Sequence, residues 1–371
     1  MSGQEAANEK LASRVSKGYL PTLDGWRSVA ITAVILCHAF SLEGNSGRIN
    51  SLVLNLGQQG VSLFFAISGY LITTLLLDEQ KRGRISLSGF YIRRAFRILP
   101  PAYIYLAVLT LLAFGGLIRL FPGEILSAVL IYNNYWPERS WYTIHFWSLS
   151  MEEHFYLLWP SLLALSGVVR AKWLAVAAIV GILLWRPWSF EHVHLDVPAL
   201  QRTDMRLDAF LWACLLAILV HSQGRIHKLI CRTAFHVGIM IVMAAFYAVA
   251  LAHPMQLTKV AVQSALMPLV VVPTVFLPNY ALSRFLEYPL LRWIGRISYG
   301  LYLWQQSLFH GNAPSLLAAG KVFPIKMAVL LTITTASYYL IETPLIRYGR
   351  KKAASKRTAV VSGMPASEIP Q

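Results

Sequence analysis

The feature that most constrains the fold is a series of long apolar runs separated by short polar segments. Hydrophobic residues occupy 56% of the 371 positions and charged residues only 13%. A soluble domain carries about 25% charged residues, so this chain has too few to cover a surface that faces water. The apolar runs approach the ~20 residues that a helix needs to cross a bilayer. They predict an all-α fold, a polytopic bundle of transmembrane helices.

About ten such runs can be placed along the chain, with bounds that are uncertain by several residues. Their approximate limits are 28–45, 60–77, 100–118, 154–169, 173–185, 207–221, 233–252, 259–277, 297–310 and 324–344. An even number of spans would place both termini on the same side of the membrane.

The basic residues predict which side that is. The chain contains 33 Lys and Arg and has a formal charge of +16. If the N-terminus is cytoplasmic, most of these residues fall in inside segments, as the positive-inside rule expects. This placement explains the excess of basic over acidic residues without a nucleic-acid partner. We therefore expect a cytoplasmic N-terminal tail at 1–22 with no signal peptide, a membrane domain at 23–346, and a basic, disordered C-terminal tail at 347–371.

Cysteine and histidine spacing does not indicate a metal site. Cys37, Cys214 and Cys231 lie in or beside apolar runs and form no CxxC pair, so neither a disulfide framework nor a zinc site is expected. His192 and His194 have a spacing that metal ligands use, but no third ligand pattern accompanies them.

The first apolar run carries two candidate functional residues. Arg27 and His38 are eleven residues apart, so they share a helix face about 16 Å apart along the axis. An imidazole inside a span is costly unless it has a partner or a task. His38 is either a packing histidine bonded to a neighbouring helix or a functional base.

A basic segment precedes the third run. Arg94 and Arg97 would share one face of a helix, and their guanidinium groups suit phosphate oxygens. We assign Arg93, which precedes them in the sequence, to donor binding as well. The alternative is that these charges only set topology or contact anionic lipid headgroups.

Acidic residues open two later spans. Glu152 and Glu153 are expected at the outer mouth of the fourth span, where carboxylates also favour the helix dipole. Asp204, Arg206 and Asp208 open the sixth span, and pairing among them could be functional or structural. We assign these three residues to acceptor binding, together with Ser150, Tyr156 and Trp147 of the aromatic-rich outer segment.

Six segments, read together, resemble acyltransferase family 3, the integral membrane O-acyltransferases that act on O-antigen, exopolysaccharide and macrolides. The matching stretches are LDGWRSVAI…CHAF, GVSLFFAISGYLITTLL, ISLSGFYIRRAFRILPPAY, WSLSMEEHFYLLWP, TDMRLDAFLWACLLA and RISYGLYLWQQSLF, closing with IETPL. They occur in the family's order across residues 20 to 346.

The resemblance implies roles at the matching positions. The Arg-x10-His pattern falls on Arg27 and His38, with His38 as the catalytic base. The Arg-x-x-Arg pattern falls on Arg94 and Arg97, which would handle the acyl donor. After LYLW the family commonly has His, whereas this chain has Gln305 and Gln306. Because the sequence ends after this region, we expect no appended esterase-like domain.

The interpretation that follows is an acyltransferase of the bacterial inner membrane. It would move an acyl group, most simply acetyl, from cytoplasmic acyl-CoA to a hydroxyl of a carbohydrate or lipid-linked glycan. Glu152 and Glu153 would assist His38, no cofactor would be permanently bound, and membrane lipid would be the other partner. A multi-span transporter without thioester chemistry is the alternative, and a non-catalytic lipid-binding scaffold is a third.

Overall fold

The computed structural model describes residues 20–41, 48–83, 85–193, 197–252, 256–309 and 316–362. Side chains at 48–49, 251–252, 316–320 and 357–362 are outside this description. The predicted N-terminal tail up to residue 19 and His194 of the histidine pair also lie outside the described residues.

Within the described ranges the regular structure is helical, which confirms the predicted fold class. We label the ten longest helices. They are α1 (Pro21–Phe40), α2 (Arg48–Lys81), α3 (Leu87–Phe114), α4 (Phe146–His192), α5 (Asp208–His221), α6 (Thr233–Ala252), α7 (Gln256–Val271), α8 (Pro289–Leu308), α9 (Leu316–Ser337) and α10 (Thr343–Ser362). A π-helix at Tyr338–Glu342 joins α9 to α10.

Helix α4 is two helices joined at a reversal. Gly167 has a φ of 74° and a ψ of 167°, a left-handed conformation that glycine adopts without a Cβ penalty. His154, before Gly167, hydrogen-bonds Thr203, and Trp185, after it, hydrogen-bonds Asp204. A straight helix would separate residues 154 and 185 by about 46 Å. The chain therefore turns back at Gly167, between the two predicted runs 154–169 and 173–185.

Seven helices in the described part of the chain are long and apolar enough to cross a membrane, with Trp141–His192 counted once. The shorter α5 is also apolar. The structure thus supports a polytopic membrane protein, and the predicted span number and the sidedness of the termini stay predictions.

Helix α1 packs mainly against α2 and α8. At Gly295 of α8, an added Cβ would lie 1.8 Å from the Asp24 carbonyl oxygen, and at Gly25 of α1 it would lie 2.2 Å from that of Leu286. No larger residue fits either position without moving the backbone. This close approach brings the polar residues of α1 beside those of α8.

Two predicted bounds are corrected by the structure. Helix α1 begins at Pro21 rather than near residue 28, because proline suits the first turn of a helix. The tail predicted to be disordered from 347 is helical as far as Ser362. Its beginning packs on α3: the rings of Tyr348 and Phe96 are 5.2 Å apart and Ala353 is buried. Composition could not reveal that this basic segment has an apolar docking surface.

Candidate active site

A cavity, which we call the arginine cavity, opens among α1, α2, α3, α4 and α8. Its wall combines apolar side chains with polar ones. The polar members are Arg27, Ser68, Arg94, Arg97, Ser148, Glu152, Tyr156, Ser298, Tyr299 and Tyr302. Because the lining comes from five helices, the cavity exists only after the bundle has assembled.

Three arginines, Arg27, Arg94 and Arg97, converge on this cavity. Arg27 forms an ion pair with Asp24 at 2.8 Å. The Arg94 guanidinium lies 4.8 Å from the centre of the Tyr156 ring, a cation–π contact. Among the described residues, neither Arg94 nor Arg97 lies within salt-bridge distance of a carboxylate. Their positive charges are thus available to a ligand.

Glu152 is the carboxylate in the wall of this arginine cavity. One of its oxygens accepts hydrogen bonds from the Ser68 hydroxyl and the Tyr156 hydroxyl. These two donors fix the carboxylate on its own side of the cavity. The excess of guanidinium over carboxylate favours an anionic ligand, and forked guanidiniums match phosphate geometry.

The two members of the acidic pair do not share a site. Helix α4 begins at Phe146, so Glu152 and Glu153 lie in its second turn, where adjacent residues point about 100° apart. Glu153 lines a separate small cavity together with Ser150. In the described structure, one Glu153 oxygen and the Ser150 hydroxyl have no hydrogen-bond partner.

His38 lies near the far end of α1, about three turns from Arg27. Its Nδ1 is 2.7 Å from the Gln305 Oε1, and its ring meets Trp141 edge-on with centroids 5.3 Å apart. Arg27 belongs to the arginine cavity, and His38 does not line it. The two residues of the Arg-x10-His pattern therefore mark two ends of one helix face.

Arg93 is not part of the arginine cavity. Its Nη2 pairs with Glu79 Oε1 at 2.7 Å, and its side chain is 38% exposed. One residue of offset on a helix turns a side chain by about 100°, which separates Arg93 from Arg94. The assignment of Arg93 to donor binding receives no support from this geometry.

The three residues that open the sixth span do not pair with one another. Asp204 receives hydrogen bonds from Arg202, Trp185 and Tyr135. Asp208 pairs with Arg186 at 2.6 Å, with both side chains buried. In a separate contact, Arg206 donates to the Ser62 hydroxyl at 2.7 Å and lies 5.7 Å from the Trp147 ring. The arginine cavity is not lined by Asp204, Arg206 or Asp208.

Sequence reasoning missed several residues that the structure brings to the two ends of the α1 face, one at Arg27 and the other at His38. Tyr302 and Ser148 share a hydrogen bond in the cavity wall. His145 is 3% exposed, packs against the rings of Tyr105 and Tyr302, and lies within electrostatic range of His38. No described group bonds either of its ring nitrogens. Only its closeness to the WSLS segment could have suggested it.

The fold and this site define a class, an integral membrane protein with a cationic internal cavity and a partly buried imidazole on the same helix. The family model described as "Acyltransferase domain", that of acyltransferase family 3, matches residues 20–343. The chain belongs to this family.

Three relatives are similar over most of this chain. Peptidoglycan O-acetyltransferase OatA of Listeria monocytogenes is 28% identical over 92% of the chain. A Staphylococcus aureus protein named "Putative O-acetyltransferase" is 27% identical over 90%, and "Putative peptidoglycan O-acetyltransferase YrhL" of Bacillus subtilis is 25% identical over 89%. The chain spans 58%, 58% and 55% of these relatives' lengths. No solved structure matches it.

Proposed function

We propose that this protein transfers an acetyl group from cytoplasmic acetyl-CoA to a hydroxyl of a cell-envelope glycan, with His38 as the general base. The observation that carries the proposal is the position of His38 and the arginine cavity along one face of α1, about 16 Å apart. An acyl-CoA has its phosphates and its thioester at opposite ends of a long flexible arm. The two ends of the helix face correspond to these two chemical groups.

The arginine cavity is the proposed site for the donor phosphates. Arg94 and Arg97 carry charges that no described carboxylate pairs at close range, and Arg27 adds a third guanidinium from the opposite wall. The basic residues flanking α3 favour a cytoplasmic location for this end, as the positive-inside rule predicts. Acetyl-CoA is made in the cytoplasm, so it would reach the cavity from there.

His38 would act on the acceptor hydroxyl. A neutral imidazole can take a proton as the hydroxyl oxygen forms a bond to the thioester carbonyl carbon. The carbon–sulfur bond then breaks, and the imidazolium returns the proton to the departing thiolate. The products are the acetyl ester and free CoA, so atoms and charge balance.

The acceptor is proposed from the relatives and from the location of His38. Two relatives are named for peptidoglycan O-acetylation. Trp141, which touches His38, belongs to the segment between α3 and α4, and the charge distribution along the sequence predicts that this segment is outside. A peptidoglycan strand or its lipid-linked precursor in the bacterial inner membrane would reach His38 from that side.

The test uses the full chain in lipid nanodiscs with radiolabelled acetyl-CoA and peptidoglycan fragments. We expect label in the glycan and release of one free thiol for each acetyl transferred. His38→Ala should lower kcat by about 10²–10⁴-fold, the usual contribution of a positioned base. The KM for acetyl-CoA should change little, because the phosphates bind elsewhere.

His192→Ala is the matched control, since His192 is exposed and its Nδ1 contacts only the Trp188 carbonyl oxygen among the hydrogen bonds described. This variant should keep wild-type kcat. An intact thioester in the wild-type reaction would instead indicate a transporter. Wild-type turnover by His38→Ala would rule out His38 as the base.

A further inference from the structure

The contact between His38 and Gln305 contains information about where the histidine carries its proton. An amide group can present either an acceptor oxygen or a donor nitrogen to a neighbour. Gln305 is fully buried, so its orientation is set by its protein partners. The Gln305 Nε2 lies 3.1 Å from Gln306 Oε1 and 3.4 Å from the Tyr302 carbonyl oxygen.

These partners fix the amide. A backbone carbonyl oxygen only accepts hydrogen bonds, so the group facing the Tyr302 carbonyl must be the NH2. The Gln305 oxygen then faces His38 Nδ1 at 2.7 Å. Because this oxygen also only accepts, Nδ1 of His38 must be the donor. The reverse tautomer would place two lone pairs against each other in a buried contact.

We infer that Gln305 is a positioning residue that holds His38 in the tautomer protonated at Nδ1, leaving the Nε2 lone pair free for the acceptor hydroxyl. The inference rests on the proposed function for the identity of that hydroxyl. It assigns a task to the position where the family commonly has His and this chain has Gln. A neutral imidazole has one donor and one acceptor nitrogen, so fixing one defines the other.

A second contact holds the ring plane. Trp141 donates from its indole nitrogen to the Gln306 carbonyl oxygen at 2.8 Å, which anchors the indole to α8. The indole then meets the His38 ring at 73°. With Nδ1 bonded to Gln305 and one ring edge against Trp141, the imidazole has a defined plane as well as a defined proton.

The experiment compares three variants on the same helix. Gln305→Met keeps the length of the side chain and removes the amide acceptor. Gln305→Glu keeps an acceptor oxygen at the same reach. Ser307 lies two residues after Gln305 and shares a hydrogen bond with Tyr105. Ser307→Ala removes that bond and leaves the His38 contact intact, so it controls for general damage to α8.

The first readout is nitrogen NMR of isotope-labelled histidine in the resting protein, with His38→Ala assigning the resonance. Wild type, Gln305→Glu and Ser307→Ala should show His38 with its proton on Nδ1, and Gln305→Met should show a mixture of tautomers. A wild-type His38 protonated on Nε2 would overturn the inference, whatever the activity.

The second readout is turnover. Gln305→Met should lower kcat about 10- to 100-fold, a part of what the base itself contributes. Its KM for acetyl-CoA should stay within about twofold, since a positioning residue acts on the chemical step. Gln305→Glu should recover much of the loss. Undiminished kcat in Gln305→Met would overturn the inference.

The two readouts separate this inference from the proposed function. If His38→Ala keeps full activity, the proposed function fails, and with it the catalytic task of Gln305. The NMR readout, which is taken in the absence of acetyl-CoA, would in that case still show whether Gln305 sets the tautomer of His38. If His38→Ala is inactive but Gln305→Met is fully active, only the inference about Gln305 fails.

Discussion

Two arginine-containing regions inside the bundle differ in how their charges are satisfied. Arg186 lies against Asp208 at 2.6 Å, with the side chains 2% and 0% exposed. Arg94 and Arg97 line a cavity without a carboxylate at that range among the described residues. A buried charge is tolerated when it is paired, so Arg186 and Asp208 compensate each other's charge. The wall of the second region contains more guanidinium groups than carboxylates, which makes it the better candidate for an anion-binding site.

The comparison predicts opposite consequences of substitution in the two regions, and the largest effect belongs to the paired region. Asp208→Leu should lower the free energy of unfolding by about 3–5 kcal/mol, because it leaves a guanidinium buried without its carboxylate. Arg186→Met should cost less, since Arg206 also lies within electrostatic range of Asp208. Thermal unfolding of the detergent-solubilised protein would measure both.

The double variant Arg186→Met with Asp208→Leu supplies the control. Removing both charges together should restore much of the stability that Asp208→Leu loses. A double variant as unstable as Asp208→Leu would show that packing, and not an orphaned charge, dominates this region.

The next effect concerns the arginine cavity. Arg94→Ala or Arg97→Ala should weaken acetyl-CoA binding by about 1.5–3 kcal/mol, the range for hydrogen bonds to charged groups. The loss should appear mainly as a raised KM, because phosphate contacts exist in the ground state and the transition state alike. Lysine at either position should recover only part, since it lacks the forked geometry.

If these arginines only set topology, lysine would serve as well as arginine. Alanine would then reduce the amount of inserted protein and leave the KM unchanged. Titration of acetyl-CoA against the four single variants in nanodiscs distinguishes the two cases.

The smallest effect is expected at Arg93, the matched control for Arg94. Its ion pair with Glu79 is partly exposed, and such pairs contribute about 0.2–1 kcal/mol. Arg93→Ala should leave the KM for acetyl-CoA within about twofold of wild type. A KM shift as large as that of Arg94→Ala would place Arg93 in the donor site and contradict the structure.

The comparison also shows which contacts sequence patterns do not predict. Arg94 and Arg97 were grouped correctly because their spacing defines one helix face within one element. Asp204, Arg206 and Asp208 were grouped for the same reason, yet their acidic members bond Arg202 and Arg186. Arg186 is 22 residues from Asp208 and lies on α4, whereas Asp208 begins α5, so their contact depends on how these two helices pack. Local spacing therefore predicts a shared face and does not predict the partner.

The sequence by itself determined the helical membrane class, the family segments and the face of α1 that carries Arg27 and His38. These follow from composition and from a helical period that acts within single elements. Only the tertiary structure decided that the arginines share a cavity with Glu152, that Arg93 and Glu153 do not, and that Gln305 holds His38. Each of these depends on contacts between residues far apart in the chain, such as the 267 residues that separate His38 from Gln305. Such contacts are set by how helices pack, at points such as Gly25 and Gly295, and no period within one helix encodes them.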